Sequence, residues 1–309
     1  MKNGNSSNQP VILSAVRTPT GRFGGSLSRI PAPKLGALVV DAALTRAGVN
    51  DRSTVNEVIM GNVVAAGLGQ NPARQAAIFG GLPSSVGATT INKVCGSGLK
   101  SVMLAAQAIR AGDGHLFVSG GMENMSDTPF LVYGRNNELR YGNAQLTDAL
   151  LHDGLWDPFE DWSMGDAAEF IAEEYEVSRE AMDRLALDSH QKALAAIDAG
   201  RFEQEIVPVE TRGRKGKVVL FDTDETPRRD TSLEALASLK PAFRPDGKVT
   251  AGNAPGLNDG AAAVVVASAE MAEVMGAKPL ARIAGYTQSA VEPKYLFDAP
   301  SKALPKLLD

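Results

Sequence analysis

Apolar positions in this chain fall into two patterns that predict different elements. Short continuous apolar runs are typical of buried strands, and longer stretches with an apolar stripe are typical of helices. The predicted strands are Pro10–Val16, Val55–Val64, His115–Ser119, Lys217–Phe221, Ala261–Ala267 and a strand beginning in Leu280–Gln288. The predicted helices are Pro33–Gly48, Asn71–Phe79, Leu99–Ile109, Ser178–Ala199 and one that opens at Pro300–Leu308. Strands alternating with helices predict an α/β layered domain.

The pattern changes between Met122 and Lys248, where apolar runs are fewer and charged residues more frequent. We interpret this segment as an inserted domain that includes an extended excursion, Leu131–Leu146, carrying Arg135 and Arg140. It also includes a basic turn at Arg212–Lys217. The polar start of the chain, MKNGNSSNQP, predicts a short disordered tail. The length suggests about two domains.

Composition narrows the classes of protein. The 309 residues are 44% hydrophobic and carry a net charge of −5, with no basic block that would indicate nucleic-acid binding. A single cysteine excludes an intrachain disulfide framework and fits a reducing cytoplasm. No apolar run approaches the roughly 18 residues of a membrane span, and no apolar signal core opens the chain.

The three histidines give no sign of a metal centre. His115 begins a strand, His152 lies in the inserted segment, and His190 lies on a predicted helix. None is at metal-ligand spacing with the one cysteine, so no metal site is expected. We interpret each as a surface or structural histidine.

Cys95 lies where a strand should turn into a helix. It follows the β-favouring run Ala88–Ile91 and precedes the apolar helical run that begins at Leu99. Gly96 and Gly98 keep the corner open to a substrate. A helix N-terminus favours negative charge, because its first N–H groups are unpaired. The position therefore suits a nucleophilic thiolate facing a cleft. A lone cysteine can also be a small buried hydrophobe, but this context favours the nucleophile.

The segment around Cys95, INKVCGSGLKS, resembles the nucleophile motif of the thiolases, the acetyl-CoA C-acyltransferases. Further segments resemble that family in the same order along nearly the whole chain. They are Val16–Arg22, Gly120–Ser126, Arg212–Gly216 and Thr250–Ala261.

The resemblance implies a fold, a reaction and a substrate. The fold would be a layered αβαβα arrangement with an inserted loop domain and an incomplete second half. The implied division is 1–121 for the N-terminal half, 122–248 for the inserted loop domain, 249–275 for its return and 276–309 for the start of the second half. Cys95 would form an acyl-cysteine from an acyl-CoA. Acetyl-CoA or coenzyme A would be the substrate, and no cofactor would be bound covalently. The chain would assemble as a homodimer or homotetramer.

The same resemblance implies residues that bind coenzyme A. Arg228 and Arg229 correspond to the region that binds its nucleotide end, since a guanidinium suits a phosphate or adenine. Phe243 resembles an aromatic residue near the adenine. Ser163, Met164, Ala251 and Pro255 correspond to positions along the pantetheine arm. Some relatives have histidine at Ser163, and many have serine at Pro255. Glu123 is interpreted as a structural carboxylate after a turn at Gly120–Gly121.

Motifs that follow later in the family do not occur in the 309 residues. They are Asn-Glu-Ala-Phe, Gly-His-Pro and Cys-x-Gly-Gly, which would supply an oxyanion-site Asn, an activating histidine and a second catalytic cysteine. This predicts little turnover by the chain alone. One alternative is therefore an inactive fragment, or half of a split enzyme completed by a separate chain. Another is a ketoacyl synthase, which the basic turn and the insertion disfavour.

Overall fold

The computed structural model describes residues 8–134, 142–213 and 216–308. The chain divides into two compact units. The first comprises 1–149, 203–225 and 258–284, and the second comprises 150–202, 226–257 and 285–309. The boundaries of these two compact units differ from the domain boundaries that the resemblance implies. The implied domain division stays a prediction.

The elements follow one another as strands and helices in near alternation. The strands are β1 (Pro10–Arg17), β2 (Gly21–Arg22), β3 (Glu57–Gly61), β4 (Gly87–Ile91), β5 (Leu116–Asn124), β6 (Phe130–Leu131), β7 (Thr147–Asp148), β8 (Trp156–Asp157), β9 (Trp162–Ser163), β10 (Val209–Arg212), β11 (Val218–Phe221), β12 (Asn258–Ser268) and β13 (Ala281–Arg282). The α-helices are α1 (Ala32–Arg46), α2 (Pro72–Phe79), α3 (Ser97–Ala111), α4 (Met164–Glu174), α5 (Arg179–Asp198), α6 (Leu233–Ala237), α7 (Ala269–Val274) and α8 (Ala299–Leu308).

A mixed sheet forms the centre of the first unit. Its strand order is β13-β1-β12-β5-β3-β4, and β2 pairs with β12. The pairs β1–β12 and β12–β5 are antiparallel, whereas β5–β3 and β3–β4 are parallel. The parallel strands are joined through α2 and α3, as crossover connections require.

Successive residues of the central strands enter two different apolar clusters. Val58 and Met60 of β3 pack with α1 and α2, while Ile59 between them packs with Ala105 and Ile109 of α3. Because strand side chains alternate between the faces of a sheet, both faces are covered. The predicted α/β layered class is confirmed.

One predicted turn is wrong. Gly120–Gly121 does not form a turn but lies within β5. Paired glycines usually signal a turn. Here a Cβ at Gly120 would lie 2.0 Å from the Ala262 carbonyl oxygen, so β5 and β12 can pair this closely only because residue 120 has no side chain. The strand predicted to begin in Leu280–Gln288 is confirmed as the short β13, Ala281–Arg282.

Some predictions fall partly on residues outside the described ranges. Arg135 and Arg140 of the predicted excursion lie outside them, as do residues 214–215 of the basic turn and residues 1–7 of the predicted tail. The strand after the basic turn is confirmed as β11, which pairs antiparallel with β10.

The second unit contains a buried carboxylate at Glu169 on α4. Glu169 is 1% exposed. Its two oxygens accept hydrogen bonds from the backbone N–H groups of Lys248 and Val249, each at 2.8 Å. These bonds fix the start of the segment that carries Ala251 and Pro255, since a buried N–H needs an acceptor.

We expect Glu169→Ala to lower the free energy of unfolding by about 3 kcal/mol, because two backbone donors lose their acceptor. Urea unfolding followed by circular dichroism measures this. The matched control is Glu173→Ala on the same helix, whose carboxylate is 60% exposed and pairs with Arg244 at 3.3 Å. That change should cost less than about 1 kcal/mol. Equal losses in the two variants would contradict the role given to Glu169.

Candidate active site

Cys95 lies at the predicted corner between a strand and a helix. β4 ends at Ile91, Gly96 is the N-cap residue and α3 begins at Ser97. The thiol-bearing residue is exposed. Within the described residues, nothing accepts a hydrogen bond from the Cys95 backbone N–H. A nucleophile and a donor that can stabilise an oxyanion thus meet in one residue.

The residue before the cysteine has an unusual backbone. Val94 has φ +46°, in the left-handed region that a β-branched residue rarely adopts. The Asn92 Oδ1 accepts from the Val94 N–H at 2.9 Å. The hydroxyl of Ser97 donates to the Val94 carbonyl at 2.6 Å and accepts from the Lys93 N–H at 2.8 Å. These bonds offset the strain and hold the turn that presents Cys95.

Glycines allow the first turn of α3 to lie directly on the sheet. A Cβ at Gly61 would come within 2.5 Å of the Ser97 Cβ and 2.9 Å of the Gly98 nitrogen. A Cβ at Gly121 would lie 3.3 Å from the Gly98 Cα. The helix start, and with it Cys95, is therefore positioned by backbone packed against backbone.

Glu123 is a structural carboxylate, as the sequence predicts. It accepts hydrogen bonds from the Val63 N–H and the Asn62 amide, both at 2.8 Å. Burial raises its pKa above the ordinary value, against the lowering effect of those hydrogen bonds. Its interactions hold the segment after β3, one residue beyond Gly61.

The residues predicted to bind coenzyme A all belong to the second unit, whereas Cys95 belongs to the first. Ser163 and Met164 lie where β9 meets α4. The Ser163 hydroxyl accepts from the Asp166 N–H at 3.2 Å, and the Asp166 carboxylate accepts from the Ser163 N–H at 3.3 Å, which forms a capping box. The Ser163 hydroxyl also donates to Asp166 at 2.7 Å. The hydrogen bonds from Ser163 and from Arg244 lower the pKa of Asp166, whereas its partial burial acts in the opposite direction. Ser163 therefore has a structural role at the helix start.

Phe243 lies against the same helix start. A Cβ at Gly165 would be 2.2 Å from the Phe243 ring, so the glycine leaves the space that the ring occupies. Phe243 is 44% exposed. The structure thus brings Ser163, Met164 and Phe243 together at one end of α4.

Ala251 and Pro255 are exposed residues of one tight segment. Asn253 between them accepts from the Thr250 N–H at 2.8 Å and donates to the Asp183 carboxylate at 2.9 Å. Asp183 is 3% exposed and lies on α5. Asn253 and Asp183 are not among the residues predicted from sequence, although Gly252-Asn253 is a pair typical of turns.

Arg228 and Arg229 are both exposed, with different neighbours. The Arg229 guanidinium pairs with Asp198 through two hydrogen bonds, at 2.5 and 3.0 Å. The Arg228 Nε lies 3.7 Å from Asp230, beyond hydrogen-bond distance. The Arg228 backbone N–H donates to the His190 Nδ1 at 3.2 Å. His190 and Asp198 were not among the predicted site residues.

The other two histidines have nearby partners as well. The His115 Nδ1 lies 3.3 Å from the Ser268 hydroxyl, and the His152 Nδ1 lies 2.8 Å from Asp153. Within the ranges that the structure describes, no cluster of three or more His, Cys, Asp or Glu side chains could hold a metal ion. In the same ranges, no helix is long and apolar enough to cross a membrane.

Comparison with known proteins gives the family. Residues 10–270 match the family described as "Thiolase, N-terminal domain", so the chain belongs to the thiolase family. It is similar to the acetyl-CoA acetyltransferase of Pseudomonas aeruginosa, 54% identical over 97% of this chain and 76% of that protein. The acetyl-CoA acetyltransferase of Cupriavidus necator is 55% identical over 96% of this chain and 76% of its own length.

A solved structure agrees with the sequence comparison. The crystal structure of the Bacillus anthracis acetyl-CoA acetyltransferase superposes with a TM-score of 0.93, covering 97% of this chain and 75% of that chain at 42% identity. The predicted thiolase family and the thiolase-like fold are confirmed.

We expect Gly61→Ala to slow the reaction of Cys95 with iodoacetamide or acetyl-CoA by at least about tenfold. The added methyl group would displace the first turn of α3, and overpacking of this kind should also cost about 1–3 kcal/mol of stability. Mass spectrometry of the modified chain and urea unfolding measure the two effects.

Gly87→Ala on the neighbouring strand is the control. A Cβ there meets only ordinary contacts, with the nearest atom at 3.8 Å. It should leave the reactivity of Cys95 within about twofold, since ordinary contact distances require no repacking. If both variants behaved alike, the close approach at Gly61 would not position Cys95.

Proposed function

We propose that the chain is a thiolase-type acyltransferase that acts on acetyl-CoA, with Cys95 as the nucleophile. The observation that carries this is the exposed Cys95 at the start of α3, with an unpartnered backbone N–H among the described residues. The relatives named acetyl-CoA acetyltransferase support the choice of substrate.

The chemistry follows from the cysteine. The Cys95 thiolate attacks the thioester carbonyl, and the oxyanion that forms accepts a hydrogen bond from the Cys95 N–H. Collapse of this intermediate breaks the carbon–sulfur bond to coenzyme A, which leaves as a thiol after taking up a proton. The α-proton of a second acetyl-CoA must pass to a base, which the family's Cys-x-Gly-Gly motif would supply and the 309 residues do not contain. The resulting carbanion attacks the acetyl carbonyl on Cys95, the carbon–sulfur bond to Cys95 breaks, and acetoacetyl-CoA and the Cys95 thiolate are formed. The reverse direction cleaves a 3-ketoacyl-CoA with coenzyme A.

Coenzyme A is proposed to bind the residues of the second unit. Arg228 or Arg229 would contact the nucleotide end, with Phe243 beside the adenine. Met164, Ser163, Ala251 and Pro255 would line the pantetheine arm. The support is that these residues are exposed or half-buried and that Ser163, Met164 and Phe243 lie together at one helix start.

The match to acetyl-CoA acetyltransferases over nearly the whole chain supports a thiolase rather than a ketoacyl synthase. The same match spans 76% of those relatives, so turnover decides between the active enzyme and the fragment or split-enzyme alternative. We further propose a role in fatty-acid or acetoacetyl-CoA metabolism, a cytoplasmic location and a homodimer or homotetramer. Light scattering after size-exclusion chromatography measures the assembly.

The central test is acylation of Cys95. We expect incubation with acetyl-CoA to add one acetyl group to the wild-type chain, seen as a mass increase on the peptide containing Cys95. Cys95→Ala should abolish the label, because no nucleophile remains, while coenzyme A should still bind. An acetylated Cys95→Ala chain, or a wild-type chain that binds coenzyme A but is never acetylated, would refute the proposed role of Cys95.

Turnover is measured separately, as cleavage of acetoacetyl-CoA with and without a chain carrying the family's Gly-His-Pro and Cys-x-Gly-Gly motifs. Turnover only in the presence of that chain would favour the split-enzyme alternative. Turnover by the 309 residues alone would exclude it.

A further inference from the structure

Helix α5 contacts the segment that carries Arg228 and Arg229 at two points. The contacts come from His190 and Asp198, about two turns apart on the helix. His190 binds the backbone of Arg228, and Asp198 binds the side chain of Arg229. The two neighbouring arginines are therefore held in different ways.

Asp198 occupies the guanidinium of Arg229. Two parallel hydrogen bonds at 2.5 and 3.0 Å match the two nitrogens to the two carboxylate oxygens. This bidentate geometry fixes the plane of the guanidinium. A phosphate that used the same edge of Arg229 would have to displace Asp198.

His190 leaves the guanidinium of Arg228 available. Its Nδ1 accepts the Arg228 backbone N–H at 3.2 Å, so that nitrogen is unprotonated and the ring proton is on Nε2. The side chain of Arg228 is 66% exposed, and its Nε lies 3.7 Å from Asp230. Backbone anchoring fixes where this side chain begins without occupying its donors.

We propose that His190 and Asp198 are positioning residues for the nucleotide end of coenzyme A. His190 and the Asp198–Arg229 pair hold the segment at residues 228–229 on α5, and Arg228 alone contacts the phosphate or adenine. The inference rests on the proposed function, because it assumes that this segment binds coenzyme A. A segment ordered before binding loses less conformational entropy when the ligand arrives, and affinity rises accordingly.

The test is calorimetric titration of the 309-residue chain with coenzyme A. At pH 8, we expect Arg228→Ala to weaken binding about tenfold or more, because it removes a charged hydrogen-bond donor. His190→Ala should weaken the binding of coenzyme A about fivefold, because one neutral hydrogen bond is lost. Asp198→Ala and Arg229→Ala should each weaken it about threefold, and the double variant no further, since both break one exposed pair.

Two further variants separate positioning from general effects. His190→Asn retains an acceptor near the position of Nδ1 and should restore binding to within about twofold of wild type. Arg184→Ala removes a charge from the same helix, where Arg184 pairs with Glu180 at 2.6 Å. It should leave the affinity unchanged, and thermal melts of all variants confirm that they fold.

The possible results distinguish failure of the positioning roles from failure of the proposed function. If wild type binds coenzyme A and His190→Ala and Asp198→Ala bind equally well, the positioning roles are overturned and the proposed function stands. If Arg229→Ala weakens binding as much as Arg228→Ala, the division of roles between the arginines is overturned. If the wild-type chain does not bind coenzyme A, both proposals are overturned.

Discussion

The close contact between the first turn of α3 and the strands beneath it determines how Cys95 is presented. Gly61 and Gly121 lack the side chains that would hold the helix away from the sheet. A helix that began further from the sheet would leave the turn before it without support. The first turn of α3 can lie this close to the sheet only where the residue beneath it is glycine, which has no side chain. The position of the exposed thiol thus depends on those glycines.

The turn at Cys95 shows how a strained backbone is kept in place. Val94 has a conformation that is unfavourable for a β-branched residue, and its N–H and carbonyl are each bound by a neighbouring side chain. Asn92 and Ser97 are thereby engaged with backbone groups and not with a substrate. Their hydrogen bonds hold the turn while Cys95 stays exposed, so a thioester can reach its sulfur.

Periodicity was a good guide to the elements, and glycine was a poor guide to where they end. The apolar runs predicted β1, β12 and the layered fold, because burial on both faces of a sheet leaves a continuous apolar pattern. The Gly120–Gly121 pair predicts a turn, although it lies within β5. Close backbone approach and a tight turn both require glycine, and local sequence does not distinguish them.

The candidate site was predictable to a similar, limited extent. Cys95 could be identified from its neighbours, because a strand followed by glycines and an apolar helix is a local pattern. His190 and Asp183 could not, because their partners, Arg228 and Asn253, are far away in sequence. A half-buried histidine on an amphipathic helix shows no local sign of the backbone N–H that it will accept.

Local arrangement matters more than overall charge for an anionic ligand of this chain. The net charge of −5 does not attract phosphate groups at long range, and the arginines at 228 and 229 are accompanied by Asp198 and Asp230. The cluster is therefore close to neutral as a whole. Recognition by such a cluster depends on the direction of individual donors rather than on accumulated positive charge. Direction is lost when a segment moves, so in the proposed site the contacts that hold the backbone of residues 228–229 would bear on ligand binding as much as the arginine proposed to contact the ligand.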